Sequence, residues 1–202
     1  MKTLTHGKTY NSLPLCDSTK SNTGFYKEIL QSINSLLSDM NNRHNKVFFI
    51  RFDLTFPTDT YHNYPKDNSL LSQFLEALSL HCNRRRYDLR YCWVREISPR
   101  NLQHHYHCFL ALNGNFVFSA YGLFPKIIDL WSRCLGVHAG GLAHLCVNQD
   151  GFDQSGGIMM IRIDPEFSLI YQAVFQIASY MAKRFSKGDG PKHVREFGMS
   201  RL

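Results

Sequence analysis

The chain has 202 residues, and its 23 Lys+Arg against 16 Asp+Glu leave a net charge of +7, which suits one domain with an anionic partner. Hydrophobic residues make up 44% and charged residues 19%, so the chain can bury a core and is not a disordered basic tail. Apolar runs stay below the ~18 residues that span a bilayer, and the first residues lack the apolar segment of a secretory leader, so no membrane contact and a cytoplasmic location are expected.

Residues 1–22 are polar and without periodicity, which predicts an N-terminal arm before a single domain at 23–202. Apolar positions Phe25, Ile29, Leu30, Ile33, Leu36 and Leu37 predict a helix over 24–43. KVFFIRFDLTFP, residues 46–57, is β-branched and aromatic, and Pro57 closes it as a strand. A polar loop at 58–67 leads to a helix over 69–86, with Leu70, Leu71, Phe74, Leu75, Leu78 and Cys82 on one face. Strands follow at 87–96 and 104–113, joined by a Ser-Pro-Arg-Asn turn. A helix over 119–135 ends at Gly136, and short strands are expected at 142–147 and 157–163. A long helix over 166–187 precedes a basic, irregular tail. Short turns between strands imply antiparallel pairing. The order of elements predicts an α+β fold, an antiparallel sheet of about five strands with helices packed mainly on one face.

The six cysteines, Cys16, Cys82, Cys92, Cys108, Cys134 and Cys146, form no CxxC pair and read as buried free thiols. Side chains alternate along a strand, so His105 and His107 share a face and two imidazoles can converge on one divalent cation. The same pattern suits a histidine-rich strand whose rings are hydrogen-bonded at the sheet surface. If 87–96 and 104–113 form a hairpin, Glu96 lies opposite the region of His105 and can add a carboxylate; it can equally pair with Arg95 or Arg100. Tyr180 stands at the border of the apolar stripe of the last helix, with Lys183 and Lys187 on its open side. That arrangement fits an amphipathic border with solvated lysines, or a tyrosine reaching over the sheet beside cations that neutralise a phosphate.

A strand Glu, a His-x-His strand and a helical Tyr-x-x-Lys, in that order, resemble the HUH endonucleases, the rolling-circle initiators and relaxases. FFIRFDLTF is similar to the first motif of that group. WVRE, HHYHCFLALN, ASYMAKRFSKG and the closing REFGMSR resemble more closely the YagK/YfjJ-type family, which includes replication proteins of filamentous phages and prophage-borne relatives. The resemblance implies an HUH/RRM-like sheet, His105, His107 and Glu96 as ligands of Mg²⁺ or Mn²⁺, Tyr180 as nucleophile and Lys183 as its basic companion. It implies single-stranded DNA at a replication origin as substrate and a host helicase as partner. Gln176, not a second tyrosine, stands one helical turn before Tyr180, and Tyr171 points the other way, which implies a single-tyrosine enzyme.

DNA contacts are expected from Arg84, Arg85, Arg86, Arg95 and Arg100, and from Arg184 and Lys187. Two rival readings use the same residues. One is a non-catalytic DNA-binding or regulatory protein that keeps the fold. The other is an Fe(II) oxygenase with Glu96, His105 and His107 as its facial triad.

Overall fold

Three successive apolar strands dictate the architecture. In the computed structural model, which describes all residues except 1–2, 18–23, 99–100, 150–151, 185–186 and 188–189, and omits the side chains of 148–149 and 152–153, they form the middle of one sheet. The chain opens with β1 (Leu4–Thr5), β2 (Thr9–Tyr10), β3 (Leu13–Pro14) and β4 (Phe25–Tyr26), then α1 (Lys27–Arg43) and β5 (Lys46–Leu54). Next come α2 (Ser69–Arg84), β6 (Arg90–Ile97), β7 (His104–Asn113) and α3 (Ala120–Leu135). The remainder holds β8 (Ala143–Leu145), β9 (Asn148–Gln149), β10 (Phe152–Asp153), β11 (Ile158–Ile161), α4 (Phe167–Ser179), a single 3₁₀ turn (Tyr180–Ala182) and β12 (Phe197–Met199).

The main sheet runs β11-β5-β7-β6-β12, with β8 joining β5 beyond the end of β11, and every pairing is antiparallel. The α+β class expected from the sequence is the one observed. The distribution of helices differs from expectation, because both faces of the sheet are covered. Val47, Phe49, Cys92, Val94, Phe109 and Ala111 face α1 and α4. The alternate residues Phe48, Ile50, Phe52, Trp93, Cys108, Leu110 and Leu112 face α2 and α3. A strand apolar at successive positions, as FFI and CFLAL are, has two faces to bury and so attracts a layer on each.

Helix ends follow local chemistry where the sequence supplies it. Ser119 caps α3 by accepting from the backbone N–H of Tyr121 at 3.2 Å, and Gly136 stops it at φ +70°. The last helix is shorter than predicted. It stops at Ser179, turns once as 3₁₀, and Lys183 becomes extended (ψ 137°), pairing with Phe25 through an isolated bridge. The tail is not irregular throughout, since Phe197–Met199 adds the edge strand β12 to β6. In the N-terminal arm, β1 pairs with β4 and Leu15 and Cys16 are buried with α4. The backbone N–H of Cys16 donates to Ser179 Oγ at 2.9 Å. Among the described residues all six cysteines are free thiols, four of them buried. Among the described residues no helix is long and apolar enough to cross a membrane.

Candidate metal centre

Register brings the polar exceptions of three strands together. Glu96 on β6 lies directly opposite His105 on β7, and Asp53 on β5 lies directly opposite His107. Alternation then puts Arg51, Asp53, Glu96, His105 and His107 on the face covered by α1 and α4. They sit where that helical layer ends, around the turn that carries Tyr180.

His107 Nε2 lies 3.3 Å from Glu96 Oε2 and 3.3 Å from His105 Nε2, and His105 Nε2 lies 4.0 Å from the same carboxylate oxygen. A cation with ligand bonds of about 2.1 Å can reach all three atoms across such a triangle. The donor set suits a divalent ion, with two imidazole nitrogens and one carboxylate. Asp53 Oδ1 accepts from His107 Nδ1 at 2.6 Å, which fixes the ring and points its Nε2 at Glu96 and His105. A carboxylate behind a histidine in this manner orients a metal ligand and raises its basicity.

The electrostatics make Glu96 an ionised acceptor and treat the two imidazoles differently. Burial pushes the Glu96 carboxyl up, but His107 and Lys187 outweigh it and hold the group far below the usual carboxylate range. Burial lowers His107, yet Asp53 and Glu96 more than reverse this and raise it, so a cation bound there displaces a proton from its Nε2. Burial and the neighbouring His107 lower His105, which favours the neutral, ligating form.

Tyr180 stands edge-on to His107, with ring centroids 5.4 Å apart and planes at 86°. The Arg51 guanidinium lies 4.3 Å from the Tyr180 ring centroid and the Lys183 ammonium 4.8 Å. Burial, then the Glu96 carboxylate, raise the phenol above its ordinary value, while Arg51 acts against them. The resting side chain is therefore a neutral phenol held among cations that favour its ionised form. Tyr171, on α4, turns instead to α1, its hydroxyl 3.5 Å from Asn34 Oδ1, and does not join Tyr180 at the cluster.

The basic residues divide into groups. Lys183 Nζ donates to the backbone carbonyl of Asp17 at 2.6 Å while lying against Tyr180. Lys187 does not face outward from a helix as its spacing predicts. It is buried, donating to Glu96 Oε1 and to the Lys183 carbonyl. Arg184 is exposed beside them. Arg95 alternates with Glu96 and so lies on the opposite face, buried, with Nη2 donating to the Lys66 carbonyl at 2.9 Å. Arg84, Arg85 and Arg86 are exposed near the start of β6, at the far end of the strand from Glu96. Arg100 lies outside the described residues. Sequence reasoning passed over Asp53 and Arg51. The available signal was two charged residues at alternate positions of an otherwise apolar strand.

Fold and site together define an antiparallel α+β domain with a Glu-His-His cluster competent for a divalent cation. The chain belongs to the YagK/YfjJ C-terminal domain family, which matches residues 5–200. It is similar to the uncharacterized protein YfjJ of Escherichia coli strain K12, at 28% identity over 210 residues that span 90% of this chain and 96% of that protein.

Proposed function

We propose that the chain is a metal-dependent endonuclease and strand transferase that nicks and rejoins single-stranded DNA through Tyr180, of the HUH type, in rolling-circle replication of phage or mobile DNA. The observation that carries this reading is the placement of the Tyr180 ring against His107, within a cluster of Glu96, His105 and His107. Mg²⁺ or Mn²⁺ held by those three residues would polarise the scissile phosphate and offset its charge. Asp53 holds His107 in the ligating tautomer. Arg51 and Lys183 stabilise the phenolate as the Tyr180 hydroxyl passes its proton to solvent. The phenolate oxygen bonds to phosphorus, and the 3′ oxygen leaves and takes up a proton. The products are a 5′-phosphotyrosine and a free 3′-hydroxyl. The reverse step, with a 3′-hydroxyl as attacking group, rejoins the strand without a nucleotide cofactor. Replication origin DNA as substrate and a host helicase as partner belong to this same proposal.

The test is incubation with single-stranded origin DNA and Mn²⁺, followed by denaturing electrophoresis. Wild type yields a protein–DNA adduct and Tyr180→Phe yields none. Equal adduct from the variant overturns the reading.

A second reading rests on the Lys187–Glu96 ion pair, which supplies a positive charge to the metal-ligand carboxylate from within the chain. A protein of the same fold that binds DNA without cutting it needs no more than that. Metal-independent binding without cleavage of any substrate would favour it.

A further inference from the structure

Arg84 and Arg85 close α2, and Arg86 follows at φ +60°. All three are exposed. Strand rise places the start of β6, which they adjoin, about 20 Å from Glu96. Beside them a cavity of about 230 Å³ opens between α2 and the beginning of α3, lined among others by His81, Arg85, Lys126, Tyr87, Phe116 and Phe118. No carboxylate is among the described residues that line it. Phe118 is 77% exposed and Phe116 49%, so neither ring is used by the core. Ser119, the N-cap of α3, lies on the same rim, and the positive end of that helix adds to the field.

Open aromatic rings beside clustered guanidinium groups match one ligand chemistry in both its parts. Flat, uncharged bases stack on rings, and the phosphates between them pair with arginine. A duplex hides its base faces, and an acidic peptide offers no flat rings to match Phe116 and Phe118. We propose that this cavity and the adjoining arginines form a second binding site, for an unpaired nucleotide of a single-stranded nucleic acid. A base stacks on Phe118 and the flanking phosphates bind Arg84, Arg85 and Arg86. The site lies at the opposite end of β6 from the metal centre and does not depend on metal chemistry. One strand, or two segments of one molecule, can then be held at both ends of the domain.

The experiment uses the full chain carrying Tyr180→Phe, without divalent metal, so that binding is read apart from cleavage. Affinity is measured by fluorescence anisotropy with labelled oligothymidylate and, in parallel, oligouridylate. Phe118→Ala is expected to weaken binding about tenfold. The Arg84→Ala/Arg85→Ala variant is expected to reduce the slope of log affinity against log salt by roughly 0.7 per arginine. All three side chains are exposed, so unchanged melting temperatures will show intact folding. Oligomers containing 4-thiothymidine should crosslink on irradiation to the peptide bearing Phe116 and Phe118. A preference between the two oligomers would name the strand type. Unaltered affinity and salt slope in these variants, or crosslinks confined to the surroundings of Tyr180, would overturn the proposal and leave the face to a protein partner.

Discussion

Asp53 and His107 stand opposite one another on β5 and β7, and the Asp53 carboxylate accepts a hydrogen bond from His107 Nδ1 at 2.6 Å. This pair sets which nitrogen of His107 faces Glu96. Asp53→Ala frees the ring to rotate and removes a negative charge near the cation. Mn²⁺ affinity should fall about 10- to 100-fold, as read by calorimetric titration. Unchanged affinity would show that His107 is held by packing alone.

Lys187 and Glu96 form a buried ion pair beside the ligand atoms. Lys187→Met removes the ammonium from Glu96 Oε1 and leaves the buried carboxylate with His107. In metal-free protein the loss of stability should be about 3 kcal/mol, measured by denaturant titration. Mn²⁺ replaces part of the missing charge, so the variant should gain more stability from Mn²⁺ than wild type does. Equal gains would mean that the cation does not meet this carboxylate.

Asp88 anchors a separate cluster, accepting from His44 Nε2 at 2.7 Å, from Arg43 at 2.9 Å and from Arg90 at 3.0 Å. Burial raises its carboxyl, but these neighbours outweigh burial and the group ends below its ordinary value. A carboxylate with a depressed folded-state pKa contributes stability above its unfolded pKa and loses it as pH falls through the folded value. Asp88→Asn should therefore cost about 1 kcal/mol near neutral pH. That difference should shrink as pH drops below the usual carboxylate range. A difference independent of pH would assign the effect to packing.

The hairpin that carries the site was legible because its signals are local. Alternation puts His105 and His107 on one face, and the short turn after Ile97 aligns Glu96 with His105. The same alternation already separates Arg95 from Glu96, so its position on the other face was available from the sequence as well. The second helical layer was also encoded, in β5 and β7, whose runs of apolar residues leave no polar face. The end of α4 was not. Tyr180, Met181 and Ala182 continue an apolar period without Gly or Pro, and what turns Lys183 away is its pairing with Phe25 and its bond to the Asp17 carbonyl. Those partners are remote in sequence, as is the β6 edge that makes a strand of Phe197–Met199. Lys187 reaches Glu96 for the same reason, since the chain leaves the helix before it.

Mass spectrometry of the protein after reaction with origin DNA and Mn²⁺ addresses the chemistry at its source. Fragment ions should place a 5′-linked nucleotide on Tyr180, in wild type and in Tyr171→Phe alike. A nucleotide found on Tyr171 or on any other side chain, or protein left unmodified beside cleaved DNA, would contradict a phenol of the Tyr180 turn acting over the Glu96, His105 and His107 cluster.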